Sequence, residues 1–204
     1  LLKGAGLAAS QFLPPGLPGY YKDVRGLKFS PEAARKELAE AGFANGKGLP
    51  EIRHAYVASP RSQPRAEWLQ SQLKANLGVE IKLEPLESQQ YKAAIEKPAS
   101  TPQLFVYGWC QDYPDPQNWY SAFFDSKSGL SLTGWKNSQF DQLTRTADHE
   151  PDAAKRSDLY RQAAQLLMDD APAAFIWHTT NTYLIKPWVS GAKVTPLDYY
   201  FAST

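Results

Sequence analysis

Apolar residues recur at helical spacing in "SPEAARKELAEAGF", where Ala34, Leu38 and Ala41 share one face. Ser30 is placed to cap that helix, Pro31 to open its first turn and Gly42 to stop it. The same period returns in "PRAEWLQSQLKANLG", with Ala66, Leu69, Leu73 and Leu77 ahead of Gly78. Between them, the loop "NGKGLP" leads into "EIRHAYVAS", which predicts a strand. In "VEIKLEPLE", Val79, Ile81 and Leu83 alternate with polar residues, the pattern of a half-buried strand. A short helix around "QQYKAAIE" then precedes "QLFVYGW", an apolar run of strand length. This alternation of strands and helices predicts an α/β lobe whose sheet is covered by helices.

The second half reads differently. Asn137 is placed to cap "SQFDQLTRTADHE", with Phe140, Leu143 and Ala147 turned inward. A longer helix runs through "PDAAKRSDLYRQAAQLLMDD", carries Leu159, Ala163 and Leu166 on one face, and ends at Pro172. The tail "AAFIWHTTNTYLIKPWVSGAKVTPLDYY" is strand-like, punctuated by Pro187 and Gly191. At the other end, "LPPGLPGYY" keeps the first 29 residues extended and turning. Between the halves, "FVYGWCQDYPDPQNWYSAFF" gathers carboxylates, prolines and aromatic rings, and is read as an aromatic loop.

Charge and composition narrow the function classes. Lys plus Arg number 22 against 21 Asp plus Glu, a net charge of +1 that offers no field for nucleic acid or an anionic membrane. Hydrophobic residues at 43% support a packed core. The lone Cys110 is unable to form an internal disulfide or a cysteine-based zinc site. No apolar run approaches a membrane-spanning length, and the opening "LLKGAGLAAS" reads like the interior of a longer protein.

Several chemistries lack the residues they need. His54, His149 and His178 stand far apart without ligand spacing, so no metal and no cofactor is expected. No G-x-S-x-G elbow appears, and "NGKG" lies between a helix and a strand, the wrong polarity for a phosphate cradle. Asp112 and Asp115 remain. As an acid/base pair they would serve a glycosidase, with Trp109, Trp119 and Trp135 as sugar-stacking surfaces. Asp115, ahead of Pro116, reads as a turn former. Asp112 follows a strand end, where α/β sheets place ligands, and could pair with a cationic group. Its residues alone leave a ligand role and a structural role open.

"GWCQDYPDPQNW" resembles the G-W-x-x-D-x-x-D-P-x-N region of family 5 extracytoplasmic solute-binding proteins, the peptide- and nickel-type receptors of ABC importers. "LPPGLPGYY", "SPEAARKELAEAGF", "LQSQLKANLGVEIKLEPLE", "FDQLTRTA", "RSDLYRQAAQLLMDDAP" and "YLIKPWVSG" resemble further segments of that family, in its order. The resemblance implies the distal lobe of a two-lobed periplasmic-binding-protein fold (class C-like), with a mixed sheet covered by helices. It assigns residues 1–177 to an incomplete distal lobe and 178–204 to a return strand and tail toward the first lobe, near Trp177 to Thr180. On this reading the chain is a C-terminal portion, lacking most of the first lobe.

The resemblance also implies roles. The protein would be a periplasmic or cell-surface lipoprotein receptor, not an enzyme. Its partners would be a peptide, the importer's permease subunits and its own missing lobe. Asp112 matches the residue that pairs with a peptide's ammonium group, while Gly108 and Trp109 match positions whose backbone engages an extended peptide. Cys110 matches a cysteine that some relatives oxidise with an upstream partner, and Tyr91 falls near an aromatic cleft residue. Tyr113, Trp119 and Trp135 would form apolar surroundings. Val106 stands where some oligopeptide receptors carry an arginine for the peptide carboxylate; Lys97 is the candidate substitute, and ligand length stays open. An oligosaccharide receptor of the same family is the alternative reading.

Overall fold

A computed structural model describes residues 4, 6–96, 100–127, 130, 132–191, 193–194 and 200–201. In chain order its elements begin with β1 (Gly6–Ala8), α1 (Pro31–Glu40), β2 (Ile52–Val57), α2 (Ser62–Leu77), β3 (Ile81–Leu86), α3 (Ser88–Glu96) and β4 (Leu104–Phe105). They continue with α4 (Pro116–Trp119), α5 (Ser121–Phe124), α6 (Ser138–His149), α7 (Ala153–Asp170), β5 (Trp177–Thr179), β6 (Lys193–Val194) and β7 (Tyr200–Phe201). The chain divides into two compact units, Lys28–Gly108 and a second made of Leu2–Leu27 with Trp109–Thr204.

The first unit is built on a three-stranded parallel sheet in the order β3-β2-β4. Pro85 is tolerated because β3 is an edge strand, where a missing N–H interrupts no ladder on the outer side. α1 starts as its sequence dictates, with the Ser30 hydroxyl accepting from the Ala33 N–H at 3.1 Å and Pro31 at the first helical position. α2 ends on Gly78 at φ 70°, and a Cβ there would sit 2.6 Å from the Asn45 carbonyl oxygen, so glycine is required twice over. Ala55, Tyr56, Ala66, Val79, Ile81, Tyr91 and Ile95 form the buried apolar set. The strand expected through Trp109 pairs with β2 only at Leu104 and Phe105, and the Val106 carbonyl instead accepts the Tyr91 hydroxyl.

Buried in the central strand is His54, 2% exposed, with its Nδ1 lacking a partner in the described structure. Burial lowers its pKa below the ordinary 6.5, with a contact to the Leu104 backbone partly countering it. Because the folded state resists protonation, the unfolded chain takes up the proton first as pH falls through 6.5. The stability of this unit is therefore full above that value and declines below it. Amide exchange of the β2 residues, corrected for intrinsic rates, should accelerate between pH 7.5 and 5.5. His54→Gln should flatten that dependence; an unchanged slope would assign it to other groups.

The second unit packs around rings. Leu13, Val24, Trp119, Tyr120, Phe123, Phe124, Phe140, Tyr160, Leu167 and Met168 all lie in one buried cluster, drawn from the first residues, α4 to α5 and the α6–α7 pair. Asn137 caps α6 through two backbone N–H groups and Asp152 caps α7 in the same way. Pro172 does follow the end of α7, but the turn is made by Ala171, whose φ of 46° lies in the left-handed region. β1 and β5 form an antiparallel ladder, Gly6 opposite Thr179 and Ala8 opposite Trp177. The junction expected at 177/178 falls within β5.

The Pro-Gly segment is clamped rather than loose. Buried Gln11 donates from Nε2 to the Tyr21 carbonyl at 2.9 Å and accepts the Tyr21 N–H at 3.4 Å. Gly19, at φ 87°, lies against Pro116, and any Cβ there would stand 2.6 Å from that ring. The Tyr120 hydroxyl donates to the Gly19 carbonyl at 3.2 Å. These contacts seat "LPPGLPGYY" directly on the Asp-Pro turn.

Candidate functional site

In "QDYPDPQNW", the Asp-Pro pair starts a helix. Asp115 has extended backbone (φ −139°, ψ 141°), its carboxylate accepts the Gln117 N–H at 2.8 Å, and Pro116 occupies the first turn of α4. The same carboxylate takes a two-pronged pair of bonds from the Arg156 guanidinium of α7, at 3.0 and 2.8 Å. Arg156 also donates from Nε to the Ala147 carbonyl at 3.1 Å and lies 5.0 Å over the Tyr160 ring. Burial pushes the Asp115 carboxyl up, but Arg156 and the Gln117 N–H together hold it below its ordinary value. A carboxylate kept ionised in this way anchors a turn and is poorly suited to donating a proton as a general acid.

Asp112 is a different carboxylate. It is exposed, and it is oriented by Asn118 of α4, which is 2% exposed. The Asp112 N–H donates to Asn118 Oδ1 at 3.1 Å, while Asn118 Nδ2 donates to Asp112 Oδ2 at 3.3 Å. The amide orientation has one sensible solution, since a flip would set oxygen against carboxylate and N–H₂ against N–H. Asn118 is itself tied back to the cap, its N–H donating to the Asp115 carbonyl at 3.1 Å. Arg156, Asp115, Asn118 and Asp112 thus form one chain of contacts from α7 to the exposed carboxylate.

The neighbouring rings divide between surface and core. Trp109 is half-buried against Phe123 at 5.4 Å, and its indole N–H is buried without a partner in the described structure. Tyr113 is exposed and donates its hydroxyl to Gln117. Trp119 is buried, donating from Nε1 to Gln111 Oε1 at 3.1 Å. Trp135 is half-buried, stacks edge-on to Phe140 at 5.0 Å and donates to Asp170 at 3.0 Å. Cys110 is a free, exposed thiol.

The remaining sequence-predicted residues lie in the first unit. Tyr91 is buried, and burial pushes its phenol up to about 12 while its hydroxyl holds the Val106 carbonyl. Gly108 and Val106 are exposed at that unit's end. Lys97 lies outside the described residues. Among the described residues no His/Cys/Asp/Glu group could hold a metal ion, and no helix is long and apolar enough to cross a membrane. Sequence reasoning missed Asn118 and Arg156. Asn118 was legible as the polar residue three positions after an Asp-Pro cap; Arg156 carried no local signal.

The arrangement of elements is that of periplasmic binding proteins. The fold matches a crystal structure from Borrelia burgdorferi, titled a periplasmic oligopeptide-binding protein, with a TM-score of 0.76 and 29% identity over 87% of this chain and 36% of that one. The chain belongs to the bacterial extracellular solute-binding proteins, family 5, whose middle-region model matches residues 1–131. It is 31% identical to the dipeptide-binding protein of Escherichia coli, over 96% of this chain and 37% of that protein. It is likewise 31% identical to the oligopeptide-binding protein OppA of Bacillus subtilis, over 89% of this chain and 34% of that protein. The chain therefore spans little more than a third of the relatives it matches.

Proposed function

We propose that this chain is part of an extracytoplasmic receptor that captures peptides for an ABC importer, and that Asp112 holds the ligand's ammonium group. The observation that carries this reading is an exposed carboxylate fixed in direction by buried Asn118, rather than neutralised by a cation as Asp115 is by Arg156. Such a group is available to an incoming cation at small reorganisation cost. The names of the dipeptide- and oligopeptide-binding relatives support the ligand class. Gly108 and Trp109 would add main-chain hydrogen bonds to an extended peptide, giving affinity with little dependence on its side chains. Tyr113 would provide apolar contact; Cys110 and Trp135 would act from the surroundings. Closure of two lobes about a hinge would be driven by the ligand's preference for the closed state. The partners are then the importer's permease subunits and the remainder of the receptor, and the role is capture rather than catalysis.

Calorimetric titration of the full-length receptor tests it. A pool of tri- to pentapeptides with free amino termini should bind, and the same pool after N-terminal acetylation should bind at least about thirtyfold more weakly, the loss expected when a buried charge pair is removed. Equal affinity for both pools would end the ammonium reading, and binding of neutral oligosaccharides alone would move the receptor to a sugar ligand.

A further inference from the structure

The exposed Asp112 owes its direction to a buried residue on a helix whose start is fixed from elsewhere. Asn118 is 2% exposed and spends both ends of its amide on one partner, Oδ1 on the Asp112 N–H and Nδ2 on the Asp112 carboxylate. A side-chain amide can accept and donate at once, a combination that neither a carboxylate nor an ammonium offers. The first bond sets where the Asp112 backbone sits. The second pins one carboxylate oxygen of a side chain that is itself exposed. Without the amide, the side chain of an exposed aspartate would sample several rotamers, and ordering it on binding would weaken the complex.

We infer that Asn118 is a positioning residue for ligand capture, holding the Asp112 carboxylate in the single orientation that meets a peptide's ammonium group. The inference rests on the proposed ammonium role of Asp112. It extends that role to a residue that never touches ligand and whose whole effect passes through another side chain. Asp115 and Arg156 belong to the same device at one remove, since the Asp115 carbonyl accepts the Asn118 N–H and Arg156 fixes the Asp115 carboxylate.

A double-mutant cycle separates positioning from mere stability. Full-length wild-type receptor, Asp112→Asn, Asn118→Ala and the double variant are titrated with the free-amine tri- to pentapeptide pool. Asn118→Ala should weaken binding about tenfold in the wild-type background, the size of one lost charge-assisted hydrogen bond. In the Asp112→Asn background it should change affinity by less than about twofold, because no charged group is left to orient. The same factor in both backgrounds would overturn the inference, as would wild-type affinity in Asn118→Ala; in either case a loss of binding in Asp112→Asn leaves the ammonium reading standing. Wild-type affinity in Asp112→Asn would instead overturn the ammonium reading, and the positioning role with it. If the alanine variant fails to fold, Asn118→Ser keeps a small polar group at the site and is read by the same two ratios.

Discussion

Asp112→Asn should weaken free-amine peptide binding by about thirtyfold or more, while leaving the receptor as stable as wild type. On the proposed role, the affinity loss would follow from exchanging a charge-assisted bond for a neutral one in a site that would lose water on closure. Truncating one partner of a desolvated charge pair costs about 2 kcal/mol or more, and 1.4 kcal/mol is a factor of ten. The unchanged stability follows from exposure: in the unliganded protein the Asp112 side chain is at the surface and its described partner is an amide, not a cation. Asparagine keeps the backbone N–H and an oxygen facing Asn118 Nδ2, so the local geometry survives. Acetylated peptides should bind the variant and the wild type alike. Calorimetry paired with thermal melts measures both quantities. A variant that loses stability as much as affinity would make Asp112 a structural residue and return the site to the alternative readings.

How far this site could be read from the chain depends on the distance over which each feature is encoded. Caps and periodic faces are local, and Ser30, Asn137 and Gly78 do in the structure what their positions dictate. The parallel β2, β3 and β4 follow from strand–helix alternation, although the β4 ladder stops at Phe105 and the Val106 carbonyl accepts a tyrosine hydroxyl. β1, three residues long and rich in small side chains, has no period to detect and exists only through β5. α4 and α5, four residues each, are shorter than any window in which 3.6-residue spacing can register. Their Asp-Pro start reads from sequence as a turn, whereas in the structure it caps and opens α4. Arg156, 41 residues further on, decides that Asp115 is an anchor, while exposed Asp112 has an amide rather than a cation as its described partner. That decision is tertiary, and no spacing encodes it.

The aromatic wealth of the same stretch has a second answer, and Phe124→Ala is the substitution that exposes it. Phe124 is 1% exposed, and its ring meets Phe123 at 4.7 Å, Phe12 at 5.2 Å, Trp135 at 6.2 Å and Phe175 at 6.3 Å. Those partners come from the first residues, from α5 itself, from the loop before α6 and from the approach to β5, so one side chain joins four stretches of the second unit. Removing it deletes the transfer energy of the ring and leaves a cavity that four fixed rings are poorly able to fill, a loss of about 3–5 kcal/mol. Against a typical domain stability of about 5–15 kcal/mol, that is a large fraction of the total. Phe124→Leu should lose only about 1 kcal/mol. Urea unfolding followed by tryptophan fluorescence measures both. Peptide affinity, measured well below the melting temperature, should stay close to wild type in Phe124→Ala, the mirror image of Asp112→Asn. A sugar-stacking surface would behave in the opposite way, losing ligand and keeping stability. Trp119, 5% exposed with its N–H on Gln111, already belongs with Phe124. The rings in "NWYSAFF" are core packing of the second unit.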